Sequence, residues 1–209
     1  HLPTNSAFRL FPKPTKQTNT MQTTVFTQDD VQQMPKDFRV NLINSLSGGK
    51  AAFLVGTRSD AGVSNLAIFN SVVHIGADPA LVGMIARPFA PNVRRHTVDN
   101  LQASGFYTLN LVGETFYAQA HQTSARYAAE ESEFAATGLQ ELYLEDFPAP
   151  FVGESPLKIG LKLEQILPIM NGTQLIIGSV QRIILPSAAV LESGHIALDT
   201  LAPAAVCGL

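Results

Sequence analysis

The chain has 209 residues, 45% of them hydrophobic, with 14 Lys and Arg against 17 Asp and Glu for a formal net charge of −3. That size supports one domain with a core that stands without disulfide staples, and the composition excludes a disordered chain. An acidic balance offers no general field for nucleic-acid phosphates, no apolar run reaches the about 18 to 20 residues that span a bilayer, and no long apolar signal segment leads the chain. A single cysteine, Cys207, can form neither an internal disulfide nor a thiolate cluster. It fits a reducing cytosol, so a cytoplasmic protein with no nucleic-acid or membrane partner is expected.

Residues 1–24 read as a flexible N-terminal arm or leader, polar and interrupted by Pro3, Pro12 and Pro14. Phe8, Phe11 and Phe26 are its apolar anchors, and wrapping of a partner subunit is one use for such an arm. Residues 25–209 read as the folded domain. Thr27 caps a short helix with Asp29 and Asp30 in its first turn, where carboxylates suit the positive end of the helix dipole. Pro35 interrupts it, and a second helix runs from Lys36 to Leu46 with Phe38, Leu42, Ile43 and Leu46 on its apolar side.

After Gly48-Gly49 the period changes to that of strands: 51–57, the segment resuming at Val63, 71–75 and 80–86. Ser59-Asp60-Ala61-Gly62 is a turn, and Gly76-Ala77-Asp78-Pro79 between the last two strands is a tight antiparallel connection, too short for a helical crossover. A helix is expected from Asn92 to Ala103, closed by Gly105, and then a strand from Phe106 to Leu111. Glu114 to Ala129 reads as helix-rich, 130–138 as a loop or short helix, 141–144 as a strand, and Pro148-Ala149-Pro150 as a turn. In 157–163 the alternation is clean, with Leu157, Ile159, Leu161 and Leu163 on one face. Lys158, Lys162 and Glu164 read as its solvated face. Asn171-Gly172 is a hairpin turn, and the return strand runs from Thr173 to Leu185. Gly160 and Gly178 provide for sharp bends or bulges. Short strands joined by hairpins imply a mainly β fold with peripheral helices, an antiparallel barrel closed or nearly closed.

Two segments offer chemistry. Arg87, Arg94, Arg95, His96 and Thr97 gather at a Pro-bounded loop and the start of a helix, where unpaired N–H groups and guanidinium forks suit an anion. The alternative is a solvated basic helix end, or ion pairs to Asp99 or to the acidic 130s. Ser64-Asn65-Leu66-Ala67-Ile68-Phe69-Asn70-Ser71 brackets an apolar core with hydroxyls and amides. That suits a flat polar heterocycle, and equally a plain strand with turn caps. His74 reads as a core or sheet-face histidine. The five histidines form no metal spacing, Gly48-Gly49-Lys50 lacks the rest of a phosphate-binding loop, and no nucleophile elbow occurs.

The runs Arg39–Gly48, Gly56–Arg58, Ser64–Val72, Arg87-Pro88, Arg95-His96-Thr97 with Asn100, and Gly105–Asn110 with its late asparagine resemble the flavin reductase-like, FMN-binding split-barrel family. The similarity covers about residues 25 to 205. The resemblance implies a split barrel that forms a homodimer and holds FMN near the subunit interface. It implies that Asn65, Ala67, Ile68, Phe69, Asn70 and Ser71 line the isoalloxazine. Arg87, Arg95 and Thr97 would hold the phosphate with His96 close by, and Arg94 and Asn100 would be secondary contacts. His96 and His74 are the residues available to tune the ring. NADH or NADPH is the implied cosubstrate, with electrons passed on to a small-molecule acceptor. Other family members bind FMN without being reductases, so an electron-relay protein is the alternative, and a barrel that has lost FMN is a third. The linker Phe89-Ala90-Pro91-Asn92-Val93 is longer than the family pattern and bears on which arginine meets the phosphate.

Overall fold

The computed structural model describes residues 23–88 and 96–207. These fall into two compact units that divide between Arg39 and Val40. In the first, helix α1 (Gln28–Gln33) starts at a reciprocal capping box: Thr27 Oγ1 accepts from Asp30 N, and the Asp30 carboxylate accepts from Thr27 N. Two orphan donors of the first turn are thereby satisfied. Helix α2 (Lys36–Ser45) follows Pro35. The helix buries none of its residues: Phe38, Val40 and Ile43 are exposed, and so is Leu46, which lies just past its end.

The second unit is built on antiparallel strands. In chain order they are β1 (Lys50–Ala51), β2 (Phe53–Arg58), β3 (Ser64–Phe69), β4 (Val72–Ala77), β5 (Ala80–Ala86), β6 (Phe106–Leu111), β7 (Glu141–Leu144), β8 (Phe147–Val152), β9 (Lys158–Pro168), β10 (Gln174–Ile184) and β11 (Ala205–Val206). Seven of them form one sheet in the order β3-β2-β6-β9-β10-β5-β4, while β1–β11 and β7–β8 pair separately. The edge strands β3 and β4 are consecutive in the chain and only Asn70-Ser71 separates them. A sheet whose two edges are tied by two residues must curl until those edges meet. Six antiparallel steps leave β3 and β4 running in the same direction, so across the two-residue link they follow one another end to end with no ladder between them, and the curled sheet is the split barrel that the resemblance implied.

Two interruptions let the sheet curl. Glu164 is skipped between the pairs Ile177↔Gln165 and Gly178↔Leu163, and Gln181 between Val180↔Leu161 and Arg182↔Gly160. The two glycines singled out in the sequence therefore sit at bulges, where the strand bends most. A methyl group on Gly178 would land on the Tyr107 hydroxyl, and one on Gly160 would come within 2.9 Å of the Phe147 ring. Strand β2 shows the two-residue alternation. Val55 packs with Met84, Leu101, Tyr107, Leu109, Leu161 and Ile176. Leu54 packs with Leu66, Val112, Phe116, Phe134 and Val152.

Helix α3 (His96–Ser104) is closed by Gly105 at φ +73°, whose N–H donates to Leu101 O. Residues 92–95 of the expected helix, and the long linker before it, lie outside the described residues. The predicted helix over 114–129 shrinks to α4 (Tyr117–Gln122). Thr123 Oγ1 donates to Ala120 O and Ser124 Oγ to His121 O, giving the backbone an exit from the helix that the alanine-rich composition hid. Helix α5 (Glu133–Thr137) follows. Pro148-Ala149-Pro150 is not a turn but the middle of β8. Strand β8 pairs only with β7, in an irregular two-stranded ladder that tolerates missing N–H donors, and Pro150 O accepts from Thr108 Oγ1. Lys158 is likewise not on a solvated face. It is buried, its Nζ donates to Ser155 O at 2.6 Å, and burial pushes its ammonium pKa down. Lys162 and Glu164, further along β9, are exposed as expected.

Candidate functional site

A cleft of about 650 Å³ runs along β3 and the link from β3 to β4. It is lined on one side by Asn65, Ala67, Ile68, Phe69, Asn70 and Ser71, and on the adjoining sides by Ile85, Arg87, His96 and Thr97. The structure thus brings together the two segments that the sequence kept apart by some twenty residues. The cause is the topology. Strand β5 ends beside β4 at one edge of the sheet, and α3 leads from there across to β2 and β3 at the other.

Side-chain bonds hold this corner. Asn65 Nδ2 donates to Thr97 Oγ1 at 3.0 Å and ties β3 to the first turn of α3. Asn100 Nδ2 donates to Thr57 Oγ1 at 3.2 Å, so this asparagine faces β2 rather than lining the cleft. Arg94 and Arg95 lie outside the described residues. His74 is exposed on β4 and does not line the cleft, which separates it from His96.

The backbone of β3 adds a row of polar groups. Leu66 N is directed away from β2 and donates to Glu133 Oε2 at 2.8 Å. In an antiparallel ladder the bonding direction alternates residue by residue, so Ile68 N–H and C=O lie on that same outer edge. The cleft therefore combines an edge donor and acceptor, short polar side chains, apolar surface from Ala67, Phe69 and Ile85, and guanidinium groups at Arg87 and Arg126. That set suits a flat heterocycle with an anionic tail.

Sequence reasoning missed the rest of the lining, formed by Thr123, Ser124, Ala125, Arg126 and Tyr127, with Glu133 and Val206. The hydroxyl and cationic residues at 123–127 were visible, but reading them as a continued helix hid their convergence. Glu133 is 7% exposed and heads α5. Burial pushes its carboxyl pKa up. The hydrogen bond from Leu66 N, a second from its own N–H and the proximity of His96 oppose that shift. Nothing in the sequence near Ser132-Glu133 marks it. Behind it, Ser64 Oγ and Ser132 Oγ lie 2.7 Å apart and both bond Glu141, a polar support for the start of β3. Among the described residues no group of three or more His, Cys, Asp and Glu could hold a metal, and no helix is long and apolar enough to cross a membrane.

Comparison with known proteins agrees with this architecture. Residues 49–198 match the flavin reductase like domain. A split-barrel structure from Shewanella frigidimarina, described as a flavin reductase, is 44% identical, covers 90% of this chain and 92% of its own, and superposes with a TM-score of 0.84. Nitrilotriacetate monooxygenase component B from Bacillus cereus shares the fold at 20% identity, covering 90% and 93% of the two chains with a TM-score of 0.79. An uncharacterized protein of Halalkalibacterium halodurans is 30% identical over 115 residues, 55% of each chain, so the match spans about half the length of that relative. With a domain match over most of its length and a split barrel to carry it, the chain belongs to the flavin reductase like domain family.

Proposed function

We propose that this protein binds FMN in the β3 cleft and works as an NAD(P)H-dependent oxidoreductase, assembled as a homodimer. The observation that carries the reading is the outer edge of β3 at Ile68, flanked by Asn65, Ala67, Phe69, Asn70 and Ser71 and followed by Arg87, His96 and Thr97 in one cleft. The donor set fits the cofactor. The ring's polar edge pairs with a strand edge, its faces with apolar side chains, and its phosphate with cationic and hydroxyl groups. In this reading Asn65 through Ser71 orient the ring, and Arg87, Arg95, Thr97 and His96 hold the phosphate end, with Arg94 as a secondary contact.

When bound, FMN supplies the two-electron chemistry, and hydride transfer from a nicotinamide needs no protein acid or base. The chain's own part is to bind, orient and exclude water. Asn65 is held by Thr97, and Leu66 by Glu133, so both segments of the cleft are set before a ligand arrives. The electron acceptor is a small molecule taken at the same cleft.

The test is a visible absorption spectrum of the protein before and after FMN addition, then anaerobically with saturating NADH and NADPH. Uptake of FMN followed by bleaching with a coenzyme is expected. Uptake without bleaching by either coenzyme, but with bleaching by dithionite, replaces the reductase by an electron-relay protein. No uptake overturns the reading.

A further inference from the structure

Glu133 places a buried carboxylate on the wall of the cleft, and the family reading gives it no role. Three features single it out. Its side chain is more than nine-tenths buried. It lines the cleft together with Asn65, His96 and Thr97. It occupies the Leu66 N–H, the outer-edge donor that precedes Ile68 by one strand repeat. A purely structural acceptor for one backbone N–H could be a hydroxyl or an amide. Burying a charge for that purpose costs far more than burying a neutral acceptor. Burial raises the Glu133 carboxyl pKa, while the N–H donor at 2.8 Å and His96 nearby work against that rise and support the charge.

We infer that Glu133 is a tuning residue, whose fixed negative charge beside the β3 edge makes bound flavin harder to reduce and so a stronger electron donor once reduced. The inference rests on FMN occupying the cleft. On two-electron reduction at neutral pH the ring takes up two electrons and one proton, and so gains one negative charge. A carboxylate on the same wall repels that charge and leaves the uncharged oxidised ring unaffected. The guanidinium groups on the cleft, Arg87 and Arg126, act in the opposite sense. Glu133 offsets them near the strand edge. Two unit charges about 10 Å apart at an effective dielectric of about 20 exert an effect of about tenfold on an equilibrium.

The experiment compares the full chain with Glu133→Gln, which keeps an oxygen for Leu66 N–H, and with Glu133→Asp, which keeps the charge. FMN affinity is read from quenching of flavin fluorescence. The midpoint potential is read by equilibration with a reference dye during dithionite reduction. Glu133→Gln is expected to bind oxidised FMN within about threefold of the parent. Its reduced-to-oxidised affinity ratio is expected to rise about tenfold, a shift of about 30 mV to more positive potential for a two-electron couple. Glu133→Asp is expected to stay near the parent potential. An unchanged potential in Glu133→Gln with flavin bound, or loss of FMN uptake in that variant, overturns the inference and leaves the FMN reading standing. Failure of the parent protein to take up FMN overturns both.

Discussion

Asn110 lies buried in β6, where one amide serves three partners. Nδ2 donates to Leu54 O and Thr108 Oγ1, and Oδ1 accepts from Val152 N, so a single side chain joins β2, β6 and β8. Asn110→Leu keeps the volume but strips partners from buried backbone groups. A loss of about 3 kcal/mol is expected, read as a lower urea midpoint with unchanged slope. Glu133 carries the opposite sign. Burial raises its carboxyl pKa above the ordinary 4.5, so the folded state binds its proton more tightly than the unfolded chain. Ionising it as pH rises through this window therefore removes stability. Glu133→Gln is expected to melt at a higher temperature than the parent at neutral pH, with the gap closing as pH falls toward the ordinary carboxyl range. A stability cost at a cleft-lining residue is what a functional charge predicts. The resemblance marked Asn110 as an asparagine late in a strand, but only the contacts say what it does. Glu133 was not legible at all, because its partner Leu66 is distant in sequence.

Strands β6, β9 and β10 meet at the element scale through Tyr107 and Gly178. The tyrosine is fully buried, and its hydroxyl has no hydrogen-bond partner among the described residues. Burial also pushes its pKa well above the ordinary range for a phenol. Gly178→Ala would drive a methyl into that hydroxyl and to within 3.1 Å of Lys162 O, so a loss of about 1–3 kcal/mol is expected by chemical denaturation. Tyr107→Phe alone is expected to cost nothing, because it removes an unpaired polar atom. Combined with Gly178→Ala it should recover part of the loss, and a double-mutant cycle would read the recovery as coupling. Strict additivity of the two changes would show that the hydroxyl is not the obstacle. The hairpin at Asn171-Gly172 was legible because its chemistry is local: Gly172 sits at φ +82° and Thr173 N donates to Asn171 Oδ1. The exit from α4 and the strand through Pro148 and Pro150 were not. Composition favoured a longer helix and a turn, and tertiary partners decided otherwise.

At the scale of assembly, α2 and the residue that follows it leave apolar side chains exposed. Phe38 is 53% exposed and Leu46 is 72% exposed, with Val40 and Ile43 between them. Apolar side chains gathered on one helix suit a protein interface. Light scattering after gel filtration is expected to give twice the 22.5 kDa chain mass, and Phe38→Asp with Leu46→Asp to shift it toward the monomer. A single-chain mass for the parent protein would remove the homodimer from the proposal. The sequence by itself determined the hairpin chemistry, the alternating strands, the capped first helix and, through family resemblance, the split barrel and the two segments that line the cleft. Those depend on neighbours within a few residues or on a pattern spread along the chain. Only the tertiary structure decided that β3 and β4 are the two edges of one curled sheet, that Asn65 reaches Thr97, and that Glu133 and the 123–127 loop complete the cleft. These are pairings between residues far apart in the chain. They arise from closing the sheet, and no local propensity encodes which side chains that closure brings face to face.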